Sequence, residues 1–240
     1  MKLQRLYSLT RKAIDSYQMI DDGDHIAIGI SGGKDSLTLL YALHGLMQFY
    51  PKKFTLSAIT IDLGLGNFDL SSISRLCQDF AIPYQIIHTD IGKILFQERQ
   101  ETNPCSLCAN LRRGVLNSTA NREHCNKLAL GHNEDDVLET FFLNLLYAGN
   151  LSTFAPISYM DRSGITLIRP MVYLPEKEIR AFVKRSQMQV MPKCCPMDGK
   201  SKREDFKLLL KDLTLKIPSL RANLMGAIKR SHINGWKEEN

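Results

Sequence analysis

The chain has 240 residues, 44% of them hydrophobic, which suits one large domain, or one domain with a small appendage, and excludes wholesale disorder. Its longest strongly apolar stretches, residues 37–43 and 141–146, are too short to cross a bilayer, and Lys2 and Arg5 precede no signal-type apolar run, so a cytoplasmic protein with no membrane partner is expected. Net charge is +6, from 31 basic and 25 acidic residues, and the surplus sits late: residues 193–237 hold 11 Lys or Arg against 4 Asp or Glu, which either grips an RNA backbone or lines a solvated helical face.

Residues 1–19 read as a helix with basic residues outside. The apolar run 25–30, between Asp-Asp-Gly-Asp and Ser-Gly-Gly, predicts a buried strand and a tight loop. Helix 36–50, strand 54–62, helix 69–80 and strand 84–89 follow. After an irregular stretch come helix 105–123, strand 128–131, helix 134–147, strand 165–168 and helix 175–186. This rhythm predicts an α/β fold, a doubly wound parallel five-stranded sheet with helices on both faces, whose ligands bind beyond the carboxyl ends of the strands. Beyond residue 200 the period is helical only: Phe206, Leu209, Leu210 and Leu213 share one face, and Pro218 opens a helix carrying Leu220, Leu224 and Ile228. The expected division is an N-terminal helix at 1–20, an α/β domain at 21–192 and a basic helical appendage at 193–240.

Strand 25–30 runs into Ser31-Gly32-Gly33-Lys34-Asp35-Ser36. Two glycines let the backbone approach an anion, successive N–H groups form a nest before a helix N-terminus, two hydroxyls add donors and Lys34 adds a charge. Asp35 after Lys34 excludes a Walker A loop, and the dinucleotide fingerprint is missing. A second segment, Gly131-His132-Asn133-Glu134-Asp135-Asp136 continuing to Glu139, follows the fourth strand, so it should meet the loop on one sheet edge. Its carboxylates can hold Mg²⁺ or orient a reacting base, and Asn133, Glu134 and Asp135 can also offset the helix dipole.

Six cysteines fall at 77, 105, 108, 125, 194 and 195. Clustered thiols in a reducing compartment point to metal or redox chemistry. Cys105-Ser106-Leu107-Cys108 sets two thiolates within reach of one centre, and Cys194 or Cys195 supplies a third. Spacing permits zinc, a dithiol pair or an iron–sulfur cluster, with zinc first. Cys77 and Cys125 read as packing thiols, residues 141–146 as core, and His88, His124 and His232 as isolated.

Ser-Gly-Gly-Lys-Asp-Ser is similar to the signature of the PP-loop pyrophosphatases. Cys105-x-x-Cys108 with Leu111-Arg112-Arg113-Gly114, the Gly131–Thr140 segment, and Cys195-Pro196-Met197-Asp198 running on to Lys202-Arg203 resemble, in that order, segments of the tRNA 2-thiocytidine synthetases. The resemblance implies ATP bound by Ser31, Gly32, Gly33, Lys34, Asp35, Ser36, Gly131 and His132. It implies Mg²⁺ positioned by Asp35, catalytic roles for Asp35, Asp135 and Asp136 (which of the last two acts stays open), and a [4Fe-4S] cluster on three cysteines with one iron open. Cys195, ahead of Pro196 and extended, is the third ligand expected, with Cys194 facing the other way. A tRNA base, expected to be cytidine, would be adenylated through its C2 oxygen with loss of pyrophosphate, then thiolated with loss of AMP. Expected partners are tRNA, held by Arg112, Arg113, Lys200, Lys202 and Arg203, and a sulfur donor such as a cysteine desulfurase, with a homodimer left open. Two competing readings keep part of this: an adenylating ligase like the tRNA lysidine synthetases, and a nucleotide-regulated RNA-binding protein with structural zinc.

Overall fold

The structure, a computed structural model, describes residues 2–66, 69–99, 104–192, 195–197 and 202–238. Strands β1 (Asp24–Gly29), β2 (Phe54–Asp62), β3 (Tyr84–His88), β4 (Lys127–Ala129), β5 (Ile157–Met160) and β6 (Ile165–Ile168) form one sheet in the order β3-β2-β1-β4-β6-β5. All neighbours are parallel except β5 and β6. The sheet therefore has six strands where five are expected from sequence. The extra one is an edge strand with Tyr159 65% exposed, so it lacks the unbroken apolar run that marks a doubly covered strand.

β1 shows why the sheet is covered twice. Ile26 and Ile28 face one core with Leu56 and Ala58, while Ala27 faces another with Ile59, Leu128 and Leu167. The first core is closed by α1 (Leu3–Tyr17), α2 (Lys34–Phe49), α3 (Ser71–Asp79), α6 (Glu134–Tyr147) and α7 (Glu176–Arg185). The second is closed by α5 (Pro104–Arg122) and by α4 (Ile91–Lys93) with the π-helical turn Ile94–Glu98, a segment that reads as irregular from sequence. At the amino ends of the strands the buried Lys127 ammonium is satisfied by Asp24 (2.7 Å), Asp21 (3.0 Å) and the Met19 carbonyl (3.0 Å), as burial of a charge requires.

α8 (Lys202–Lys216) and α9 (Leu220–Arg230) share the first core. Phe206 meets Phe142 at 6.5 Å and Tyr147 at 5.6 Å, and Leu210, Met225 and Ile228 are buried. Leu209, expected on the same face, is 41% exposed, and Leu146, expected in the core, is 58% exposed, because α8 covers only one side of α6. Trp236 closes the core against Tyr17 (5.8 Å) and donates its indole N–H to the Phe154 carbonyl at 3.0 Å. Cys77 and Cys125 are buried as expected, and burial pushes both thiols up to about 11. Among the described residues no helix is long and apolar enough to cross a membrane.

Candidate active site

The chain reverses its strand order between β1 and β4, where an α/β sheet opens a crevice at its carboxyl edge. The loop 31–36 rises there. Gly32 has φ +75°, and a Cβ on it would lie 2.3 Å from the Met191 sulfur, whose backbone N–H donates to the Gly32 carbonyl at 3.0 Å. Ser31 N–H donates to Ser36 Oγ (3.1 Å), and Ser36 Oγ donates to the Gly33 carbonyl (3.0 Å). α2 begins at Lys34, earlier than the sequence suggests, so Asp35 and Ser36 sit in its first turn.

The turn after β4 touches this loop directly. A Cβ on Gly131 would come within 3.0 Å of the Asp35 carbonyl, so glycine is needed for the close approach. Asn133 caps α6, accepting from the Asp135 N–H (2.9 Å), and its Nδ2 donates across to Asp35 Oδ1 (3.1 Å). Asp136 completes the capping box by accepting from the Asn133 N–H at 2.9 Å. A cavity of about 310 Å³ lies between the two segments. Ser31, Asp35, Ser36, Gly131, His132 and Asp136 line it, with Ile59, Ile61, Leu116 and Leu130 as an apolar wall. This mix of a few polar groups and an apolar wall is what a nucleotide pocket needs.

The two aspartates separate. Asp136 lines the cavity, whereas Asp135 accepts from the Glu176 N–H (2.7 Å) and pairs with Arg221 of α9 (2.8 Å). Gly32, Gly33 and Lys34 are not on the cavity wall. The Lys34 ammonium is held by Asp35 (2.7 Å) and Glu176 (2.9 Å). Burial would lower its pKa, but these carboxylates hold it above the usual lysine value. Glu176 also takes Lys207 of α8 (2.9 Å) and Arg180 (3.0 Å). Burial would raise the Glu176 carboxyl, yet Lys207 and Lys34 hold it down at about 2.

Arg112 and Arg113, expected on an RNA surface, line the cavity from α5. Arg112 Nε is buried without a hydrogen-bond partner, which suits an anion placed in the cavity. One turn before it stands Cys108, half-buried, with Cys105 and Cys195 exposed. Burial raises the Cys108 thiol, Arg112 opposes this, and the charges of Cys195 and Cys105 add to the rise, so the fold brings these three cysteines within electrostatic reach. Among the described residues no three His, Cys, Asp or Glu side chains form a ready-made metal site. Three soft thiol donors suit either zinc or an iron–sulfur cluster. Cys194 and Lys200 lie outside the described residues, and Lys202 and Arg203 open α8.

Glu176, Lys207 and Arg221 escape a reading of the sequence because their partners are remote in the chain. Arg169 carried a usable signal: a charged residue at the carboxyl end of an apolar strand, where active-site groups of such sheets reside.

A model of the PP-loop domain family matches residues 5–193, so the sheet and loop define a PP-loop protein. The chain is 38% identical over 227 residues to the tRNA-cytidine(32) 2-sulfurtransferase of Geotalea uraniireducens (strain Rf4), covering 93% of this chain and 90% of that one. It is 38% identical over 220 residues to the enzyme of that name from Geobacter metallireducens (strain ATCC 53774 / DSM 7210 / GS-15), covering 90% and 86%. The chain belongs to this tRNA-cytidine(32) 2-sulfurtransferase family, as its motifs predict. Among solved structures, the U34-tRNA thiolase NcsA from Methanococcus maripaludis, described with its [4Fe-4S] cluster, matches with a TM-score of 0.75 and 26% identity, over 93% of this chain and 77% of that one.

Proposed function

We propose that this protein is a cytoplasmic ATP-dependent tRNA sulfurtransferase that activates cytidine 32 at its C2 oxygen and replaces that oxygen with sulfur. The observation that carries this reading is the cavity shared by the loop 31–36, the turn 131–136 and Arg112, one turn from Cys108. Family membership supports the substrate.

In this reading the loop 31–36 holds the pyrophosphate that leaves, through its backbone N–H groups and the positive end of α2. Arg112 and Arg113 offset charge at the reacting α-phosphate. Asp35, steadied by Asn133, and Asp136 face the cavity and would hold Mg²⁺, whose charge offsets the phosphates. Asp135 keeps the C-terminal helices and α7 in place instead. Cys105, Cys108 and Cys195 would hold a [4Fe-4S] cluster, which would supply the site for the incoming sulfur. Adenylation turns a poor leaving oxygen into a good one, so AMP departs as sulfur enters. The sulfur itself comes from a donor such as a cysteine desulfurase.

Product analysis with tRNA present is expected to give AMP and pyrophosphate. Release of ADP and phosphate would overturn the assignment. Binding of tRNA is expected to draw on the basic residues near α8. Neutralising Lys200, Lys202 and Arg203 together should weaken binding to all tRNAs and lower the slope of log affinity against log salt by up to about 3, roughly one for each phosphate no longer neutralised. An unchanged slope would make the run a solvated face.

A further inference from the structure

Arg169 follows β6 and is only 6% exposed. A buried guanidinium ordinarily meets a carboxylate. Among the described residues no carboxylate pairs with Arg169. Its Nη1 donates to the Ala155 carbonyl (2.5 Å), its Nε donates to His132 Nδ1 (3.3 Å), and its Cζ lies 5.0 Å from the centre of the Phe154 ring. Phe154 also packs on the His132 imidazole, at 4.9 Å. His132 is thus gripped on one edge and one face while it lines the cavity.

The direction of the Arg169–His132 bond decides the chemistry. A guanidinium N–H can only donate. His132 Nδ1 must therefore present its lone pair, and the neutral ring must carry its proton on Nε2. We propose that Arg169 is a positioning residue that fixes His132 as the Nε2–H tautomer, so that the cavity offers a hydrogen-bond donor at this point and never a general base. The functional part rests on reading the cavity as the ATP site. A donor there binds a phosphoryl oxygen, whereas an exposed imidazole lone pair would activate water for wasteful hydrolysis.

The surrounding charges agree with this assignment. Protonating Nδ1 would set two donors against each other and place a second cation beside Arg169. Arg113 of α5 adds to that cost. Burial and Arg113 together already hold the Arg169 guanidinium down at about 10. Arg112 stands on the same wall, as do two carboxylates, Asp35 of α2, which pairs with Lys34 and accepts from Asn133, and Asp136 of α6, which accepts from the Asn133 N–H among its contacts.

Histidine-selective ¹⁵N NMR of the full chain at neutral pH tests this, with His132→Gln identifying the resonances. His132 is expected to show an unprotonated Nδ1 and a protonated Nε2. A protonated Nδ1 overturns the proposal whatever the ATP assay gives, so this failure is distinct from failure of the functional reading. In Arg169→Met, His132 should lose its single tautomer, and an unchanged spectrum overturns the proposal too. A second pair of variants covers a folding defect in Arg169→Met. The glutamine amide nitrogen stands where Nε2 is and the asparagine amide nitrogen where Nδ1 is. His132→Gln should keep tRNA-dependent AMP formation within about tenfold, while His132→Asn should lose on the order of 10²–10³, the effect of removing one aimed donor. Equal losses would show that no Nε2 donor is in use.

Discussion

Replacing Cys105, Cys108 or Cys195 singly by serine is expected to abolish tRNA thiolation, together with the iron content and visible absorption of anaerobically reconstituted protein. Cys194→Ser is expected to keep both. The first two follow from Cys-x-x-Cys at the start of α5, and the third from the electrostatic interaction between Cys195 and Cys108. Serine is a hard, weakly acidic donor that does not replace a thiolate on iron. Since none of the three thiols lines the cavity, cleavage of ATP to AMP should survive in all four variants. Loss in Cys194→Ser with retention in Cys195→Ser would reverse the third assignment. A wild-type protein that takes up only zinc would end the cluster reading altogether.

The second large effect is expected at Glu176, which meets Lys34, Lys207 and Arg180 at once. Its carboxyl lies at about 2 against an ordinary 4.5, which corresponds to about 3 kcal/mol of native-state stabilisation. A folded-state value below the unfolded one means that this stabilisation is full above pH 4.5 and drains away as pH falls from there towards 2. Glu176→Gln should therefore lower the melting temperature at pH 7 by about 6–12 °C. The gap between wild type and variant should narrow between pH 4.5 and 3.5. A gap that stayed constant with pH would mean that the carboxylate charge is not what stabilises the fold. AMP formation should fall as well, since Lys34 is left with one carboxylate partner at the foot of the loop.

What the sequence disclosed, and what it withheld, follows from the range of the interactions involved. The loop 31–36 could be read because its chemistry is local: glycines, hydroxyls and a helix start within six residues. The strand rhythm fixed the crevice, since covered parallel strands are written as apolar runs. Asp135 and Asp136 are not told apart by sequence, because what draws Asp135 away from the cavity is a set of partners in α7 and α9, up to 86 positions away for the Asp135–Arg221 pair. β5 was missed for a different reason. Its Ile-Ser-Tyr-Met is half-exposed and lacks the unbroken apolar run of the covered strands, so it does not read as a strand. Arg112 and Arg113 were recognisably functional, but a basic pair on a helix does not reveal whether it faces an RNA surface or a pocket.

The meeting of Trp236 with Tyr17 has a consequence for how the protein is made. Tyr17 leaves the ribosome early and Trp236 late, and at roughly 5–20 residues per second some 10–40 s separate them. Through that interval Tyr17 has Tyr173 but not Trp236 against it, and Glu176 waits for Lys207, as Asp135 waits for Arg221. Stalled nascent chains ending before residue 236 are expected to be cut within α1 faster by protease than chains continuing past it, and equal rates would show that α1 docks without the tryptophan. Two of the groups bracing the surroundings of the loop 31–36, Lys207 and Arg221, thus come from the last-made part of the described chain, so that bracing is complete only when synthesis is nearly finished.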